Sequence, residues 1–289
     1  MSFEQYLNQA WKDHAKEAAR VAADFSKGFS LITQDDEIPM MARLILHVSG
    51  EHLGQWKSGI QYLQKLRELS VYKSQTESEM AIRRSIETLN LAGGFEHQLE
   101  SYSVSEKIRI LATAAAALVG QKQIQPAQNF FRQSLALAQD LDSKDPANRA
   151  LAVIGNNLAC ELEEKPLRTA EEVELMILAA QTARKYWEIA GKWLQVVLAE
   201  YRLSSTYRLA GELTLAFQAA QNCIRMAREN QAGALDSFPG YEALALVEKA
   251  RRNPEAFQKA VQMARSLFDQ MQPEEKRWYE TQVKNLVWN

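Results

Sequence analysis

The chain has 289 residues, of which 46% are hydrophobic and 24% charged, with a formal net charge of -2. These values exclude a disordered or fibrous polypeptide, and they leave no global positive field to hold nucleic acid. Twelve glycines and seven prolines fall below ordinary usage, good helix formers dominate, and the expected class is therefore all-α.

Apolar residues recur at helical spacing from end to end, and about thirteen helices are expected. The first spans residues 3–29, with Tyr6, Ala10, Trp11, Ala18, Val21, Ala22 and Phe25 on one stripe. Asp35 and Asp36 start the next, whose first turn tolerates Pro39, and it ends near Gly54. Residues 55–69 read as its antiparallel mate. Further helices are expected at 78–91, 105–119, 126–141, 146–162, 170–189, 192–209, 213–229, 241–251, 254–271 and 273–287. Gly93-Gly94, Asp145-Pro146, Gly191, Gly211, Pro239-Gly240 and Asn253-Pro254 punctuate them. Residues 92–104 and 163–168 read as irregular insertions.

One set of intervals repeats. In Leu203-Ser204, Tyr207, Gly211, Ala216, Ala220 and Cys223, small residues permit close helix approach, a glycine permits the turn, and larger groups fill the seam. The intervals return in Ala243-Leu244, Val247, Arg251, Ala256, Ala260 and Met263, and again in Ala114-Ala115, Leu118, Lys122, Ala127, Phe131 and Ser134. Looser copies begin at Leu46-His47 and at Asn157-Leu158-Ala159. The chain thus resembles the tetratricopeptide repeat superfamily over most of residues 41–271, with copies about 40 to 45 residues apart where that family has 34.

The resemblance implies a right-handed superhelical array of antiparallel helical hairpins in a single α-solenoid domain. Residues 1–34 and 272–289 serve as capping helices around hairpins at 35–271. It also implies a concave groove lined by the first helix of each hairpin, where a peptide or partner protein binds. By position, the groove residues are Arg109, Asn156, Asn157, Tyr201, Arg202, Ser205, Arg208 and Tyr241. Asparagine amides can hold a peptide backbone, and arginine can fork onto a carboxylate. Asn157 and Arg202 match two places of the clamp with which some relatives hold a C-terminal carboxylate. Ala112, Ala116 and Leu198 stand where that clamp needs Lys, Asn and Lys.

Catalytic constellations are not evident in the sequence. His47 and His52 are five residues apart, which is not the i, i+4 spacing that puts two imidazoles on one α-helical face, and His14 and His97 stand alone in polar stretches. Gly93-Gly94 follows a helix and reads as a terminator, the acidic residues between Glu161 and Glu174 as a solvated loop and helix start, and Cys160 and Cys223 as buried small apolar groups. No metal and no cofactor are expected.

Residues 1–20 carry Glu4, Asp13 and Glu17 and so lack the apolar core of a signal peptide, and no stretch is apolar enough to span a membrane. The expected protein is a cytoplasmic, non-catalytic interaction module. A ligand-responsive sensor, an enzyme assembled from distant residues and a homodimer closing over the groove stand as alternatives.

Overall fold

A computed structural model describes residues 1–288. Among them are fifteen α-helices and no strand, and no helix is long and apolar enough to cross a membrane. The helices divide into two compact units, Met1–Asp142 and Ser143–Asn289.

The N-terminal unit begins with α1 (Phe3–Asp13), α2 (Ala18–Ala23) and α3 (Phe25–Leu31). The single helix expected over residues 3–29 is thus broken twice. Glu17 and Asp24 leave helical geometry, and the chain turns back so that the Tyr6 hydroxyl donates to the Asp24 carbonyl at 3.1 Å. Phe3, Tyr6 and Ala10 of α1 then share one core with Val21, Ala22 and Phe25. A straight helix would hold those two sets about a helix length apart, so packing overrides local propensity.

Next come α4 (Ile38–Leu46), a π-helical turn over His47–His52, α5 (Trp56–Lys65), α6 (Glu77–Ala92), α7 (Val104–Gly120) and α8 (Ile124–Leu137). α6 packs against α4, α5 and α7, while α7 and α8 form a hairpin. The helix expected at 78–91 is thus a full helix of the core, followed by irregular residues 93–103 that include one 3-10 turn. Phe25, Ile38, Met41, Leu44, Ile45, Leu63, Leu66 and Ile82 are wholly buried, each such side chain contributing roughly 1.5 to 3 kcal/mol.

The C-terminal unit is more regular. Three hairpins follow one another, α9 (Pro146–Glu163) with α10 (Ala170–Ala190), α11 (Trp193–Leu209) with α12 (Leu213–Glu229), and α13 (Ala234–Ala250) with α14 (Pro254–Gln270). α15 (Pro273–Asn285) closes against α13 and α14. Asp145 caps α9, and Thr169 with Glu172 makes a capping box on α10. Gly155 of α9 lies so close to α10 that a Cβ there would stand 2.7 Å from the Ala179 carbonyl oxygen. Between α11 and α12, the repeat positions Ser204 and Ala216 meet through a buried 2.9 Å bond from the Ser204 hydroxyl to the Ala216 carbonyl.

α13 begins seven residues before the expected 241 and runs through Pro239. Its early start buries Phe238 against Phe268 and Tyr279 and brings Gly240 against Ile224 and Cys223. The packing gained there outweighs the one backbone hydrogen bond that proline forfeits.

Candidate functional site

Each hairpin of the C-terminal unit stacks on the next, and α11 touches both α9 and α13 directly. The first helices therefore lie side by side, and six of the expected groove residues fall on two of them, α9 and α11.

At the C-terminal end of α9 the Glu163 carboxylate is 8% exposed. Arg202 Nη1 donates to its Oε2 at 2.5 Å and Ser205 Oγ at 3.2 Å, while Thr206 Oγ1 donates to Oε1. Arg202 and Ser205 are thus brought together, but on an internal acid. A buried carboxylate with one full positive partner and two hydroxyl donors is the condition under which burying the charge is tolerated.

A second buried acid, Glu242 of α13, is 5% exposed and accepts a hydrogen bond from Tyr201, with the Arg208 charge nearby. Burial raises the Glu242 carboxyl above its ordinary range, and the Tyr201 bond and Arg208 charge offset this only in part. Burial likewise raises the Tyr201 hydroxyl, with the Glu242 charge adding to it. A third acid, Glu200 of α11, pairs with Arg184 of α10 at 2.6 Å.

Asn157 is exposed, Asn156 and Tyr241 are half-buried, and Asn156 Nδ2 donates to Asn157 Oδ1 at 3.3 Å. Arg109 belongs to the N-terminal unit, where it pairs with Glu106 at 2.8 Å beside Arg84. Glu163 and Glu242 are the groups that sequence reading passed over. Glu163 sat in an acidic stretch that reads as solvated, and only the partners 39 to 43 residues away reveal its role.

Burial pushes the Cys160 thiol up and takes Cys223 up to about 12. A nucleophilic cysteine needs the opposite shift.

The N-terminal unit holds a different constellation. His14, His47 and His52 each offer one ring nitrogen to a common locus, and those nitrogens all lie within 4.8 Å of one another. His52 Nε2 is 3.1 Å from His47 Nε2. The other nitrogen of His47, Nδ1, meets Glu51 Oε2 at 3.0 Å, and His14 Nδ1 meets the Trp11 carbonyl oxygen at 2.5 Å. Trp11 flanks the cluster, its ring centroid 5.1 Å from His14 and 5.2 Å from His47, with Arg43 over its face. Burial, then the neighbouring His47 charge, draws His52 below the ordinary histidine value despite Glu51.

Two local facts assemble this cluster. His14 is the C-cap residue of α1, so the break after α1 aims it at the end of α4. His47 and His52 open and close the π-helical turn, where the Leu53 N–H reaches the Val48 carbonyl five residues back at 3.1 Å. In that i→i+5 winding, residues five apart become neighbours. The argument from i, i+4 spacing holds for an α-helix, and this turn is not one.

The π turn is held from α7. Gln121 Nε2 donates to the Glu51 carbonyl at 2.8 Å, and a Cβ at Gly120 would collide with that same oxygen. Gly54 leaves the turn at φ +60°, where glycine is unstrained.

Comparison with protein-family models gives no match to this chain, and comparison with curated proteins gives none either.

Proposed function

We propose that the chain is a non-catalytic interaction module whose C-terminal unit receives a peptide or partner segment along the adjoining faces of α9, α11 and α13. The hairpins of that unit are read as part of a right-handed array of the tetratricopeptide kind, and the protein as cytoplasmic. The observation that carries this reading is the contact of α11 with both α9 and α13. It forms a continuous first-helix face on which Asn156, Asn157 and Tyr241 keep some exposure.

The internal polar contacts sharpen the reading. Arg202 and Ser205 hold Glu163, and Tyr201 holds Glu242, so these side chains stiffen the floor of the face. Recognition then falls to the amides of Asn156 and Asn157 and the Tyr241 ring. Such groups suit a polar extended backbone better than a carboxylate clamp. Net charge near neutrality supports a protein partner over nucleic acid, and the raised thiols support a non-catalytic role.

The test is capture from native lysate by wild type and by an Asn156→Ala, Asn157→Ala, Tyr241→Ala variant, with folding checked by circular dichroism. A partner that binds wild type and is lost from the variant is the expected result. Equal capture by both proteins removes this face as the binding surface.

A further inference from the structure

We infer that His14, His47 and His52 form a transition-metal site of the zinc class that ties α1 to the π-helical turn. Three imidazole nitrogens within 4.8 Å of one another are close to what one ion requires. With Zn–N bonds of about 2.0 to 2.1 Å, ligands of a tetrahedral ion lie roughly 3.3 Å apart. The His47 and His52 pair, at 3.1 Å, already meets that spacing. Only His14 has a short distance to close.

The outward-facing nitrogens support the same reading. A metal-bound imidazole ordinarily donates its other N–H to a carboxylate or backbone carbonyl, which sets the tautomer and aims the ring. His47 Nδ1 is held by the Glu51 carboxylate and His14 Nδ1 by the Trp11 carbonyl. Both arrangements leave Nε2 as the nitrogen without an outer partner, and that of His47 already faces His52 Nε2 at 3.1 Å. Glu51 also places one negative charge beside the cation, and the bulky Trp11 ring shields one side.

Ligand chemistry selects the ion. Three neutral nitrogens suit Zn²⁺, Co²⁺, Ni²⁺ or Cu²⁺, whereas Mg²⁺ and Ca²⁺ demand oxygen. Among the described residues no fourth histidine, cysteine or carboxylate joins the group, so the fourth position of a tetrahedral ion falls to solvent or an exogenous ligand. π-helical turns are rare and recur at functional sites. Here the turn has a definite consequence, since without it His47 and His52 occupy different faces of the helix.

The alternative is a purely aromatic cluster, in which a His52 Nε2–H donates to His47 Nε2 and the rings pack on Trp11. Direct titration separates the two. Full-length protein freed of metal by chelation is titrated with Co²⁺ and followed in the visible, then competed with Zn²⁺. One equivalent of Co²⁺ giving the d–d bands of a four- or five-coordinate nitrogen site, displaced by one equivalent of Zn²⁺, is the expected outcome.

His14→Ala, His47→Ala and His52→Ala should each weaken binding by more than the roughly 10- to 100-fold that loss of an outer partner costs, and Glu51→Gln should fall within that range. His97→Ala, which removes the remaining one of the four histidines, should bind as wild type does. Should a variant unfold, wild-type histidine ring resonances supply the readout, because paramagnetic Co²⁺ shifts three rings and spares His97. Wild type that takes up no stoichiometric Co²⁺ or Zn²⁺ at micromolar concentration overturns the assignment. So does affinity undiminished in all three single variants.

Discussion

The two units differ in which polar side chains their helix geometry brings together. In the C-terminal unit the hairpins are regular, and the acids on first helices are tied to neighbours, Glu163 to Arg202, Glu200 to Arg184 and Glu242 to Tyr201. In the N-terminal unit the first long helix is broken twice and α4 ends in a π turn, and three histidines there face one another. Regular stacking brings Glu163, Glu200 and Glu242 each to a partner on another helix of the unit. Irregular winding brings together groups that an α-helix keeps apart, and leaves them facing a common point.

The largest expected effect tests the first half of that contrast. Arg202→Ala leaves the Glu163 carboxylate buried with only hydroxyl donors, and should cost the C-terminal unit about 3 to 5 kcal/mol in urea unfolding. Adding Glu163→Gln to that variant should recover part of the loss. A single variant within about 0.5 kcal/mol of wild type, the range of an ordinary surface change, would mean that the bridge does not hold the face together.

A smaller effect tests the second half. Gly120→Ala places a methyl group against the Glu51 carbonyl and should destabilise the N-terminal unit by about 1 to 3 kcal/mol, as overpacking does. Because it displaces the π turn, it should also weaken Co²⁺ binding although it touches no histidine. Unchanged binding in a destabilised protein would disconnect the turn from the cluster.

The smallest effect is one of slope. Glu242 is raised in the folded protein, so between the ordinary glutamate value of about 4.3 and its raised value the native state holds more proton than the unfolded chain. Its contribution to stability is therefore greatest at low pH and declines as pH rises through that window. Glu242→Gln keeps an acceptor for Tyr201 and should flatten this decline in unfolding experiments at stepped pH. Parallel slopes for the two proteins would contradict the assignment.

The array of helices was legible from apolar spacing and turn residues, because both are local signals. One repeat interval also translated into a contact, Ser204 meeting Ala216 across α11 and α12 as close packing of small residues requires. The breaks after α1 and α2 were not legible, since residues 13–24 contain neither Gly nor Pro and the cause is a core shared with Tyr6 and Phe25. Nor was the early start of α13, which depends on Phe238 finding Tyr279.

At the candidate sites the limit has the same origin. Arg202 reads as a groove cation until Glu163, 39 residues earlier, is placed beside it. His14, His47 and His52 read as scattered because their proximity depends on a helix break and a π turn. Both of those are set by tertiary contacts.

The bond from Gln121 to the Glu51 carbonyl spans 70 residues, and it makes the π turn depend on tertiary closure. The turn also packs against α2 and α5, and an isolated segment around α4, lacking all of these contacts, would relax toward an ordinary α-helix with His47 and His52 on separate faces. The close pair of imidazoles is therefore a product of long-range closure. A bound ion there would recognise the folded N-terminal unit over the unfolded chain, so that metal uptake followed in time would report closure of the π turn.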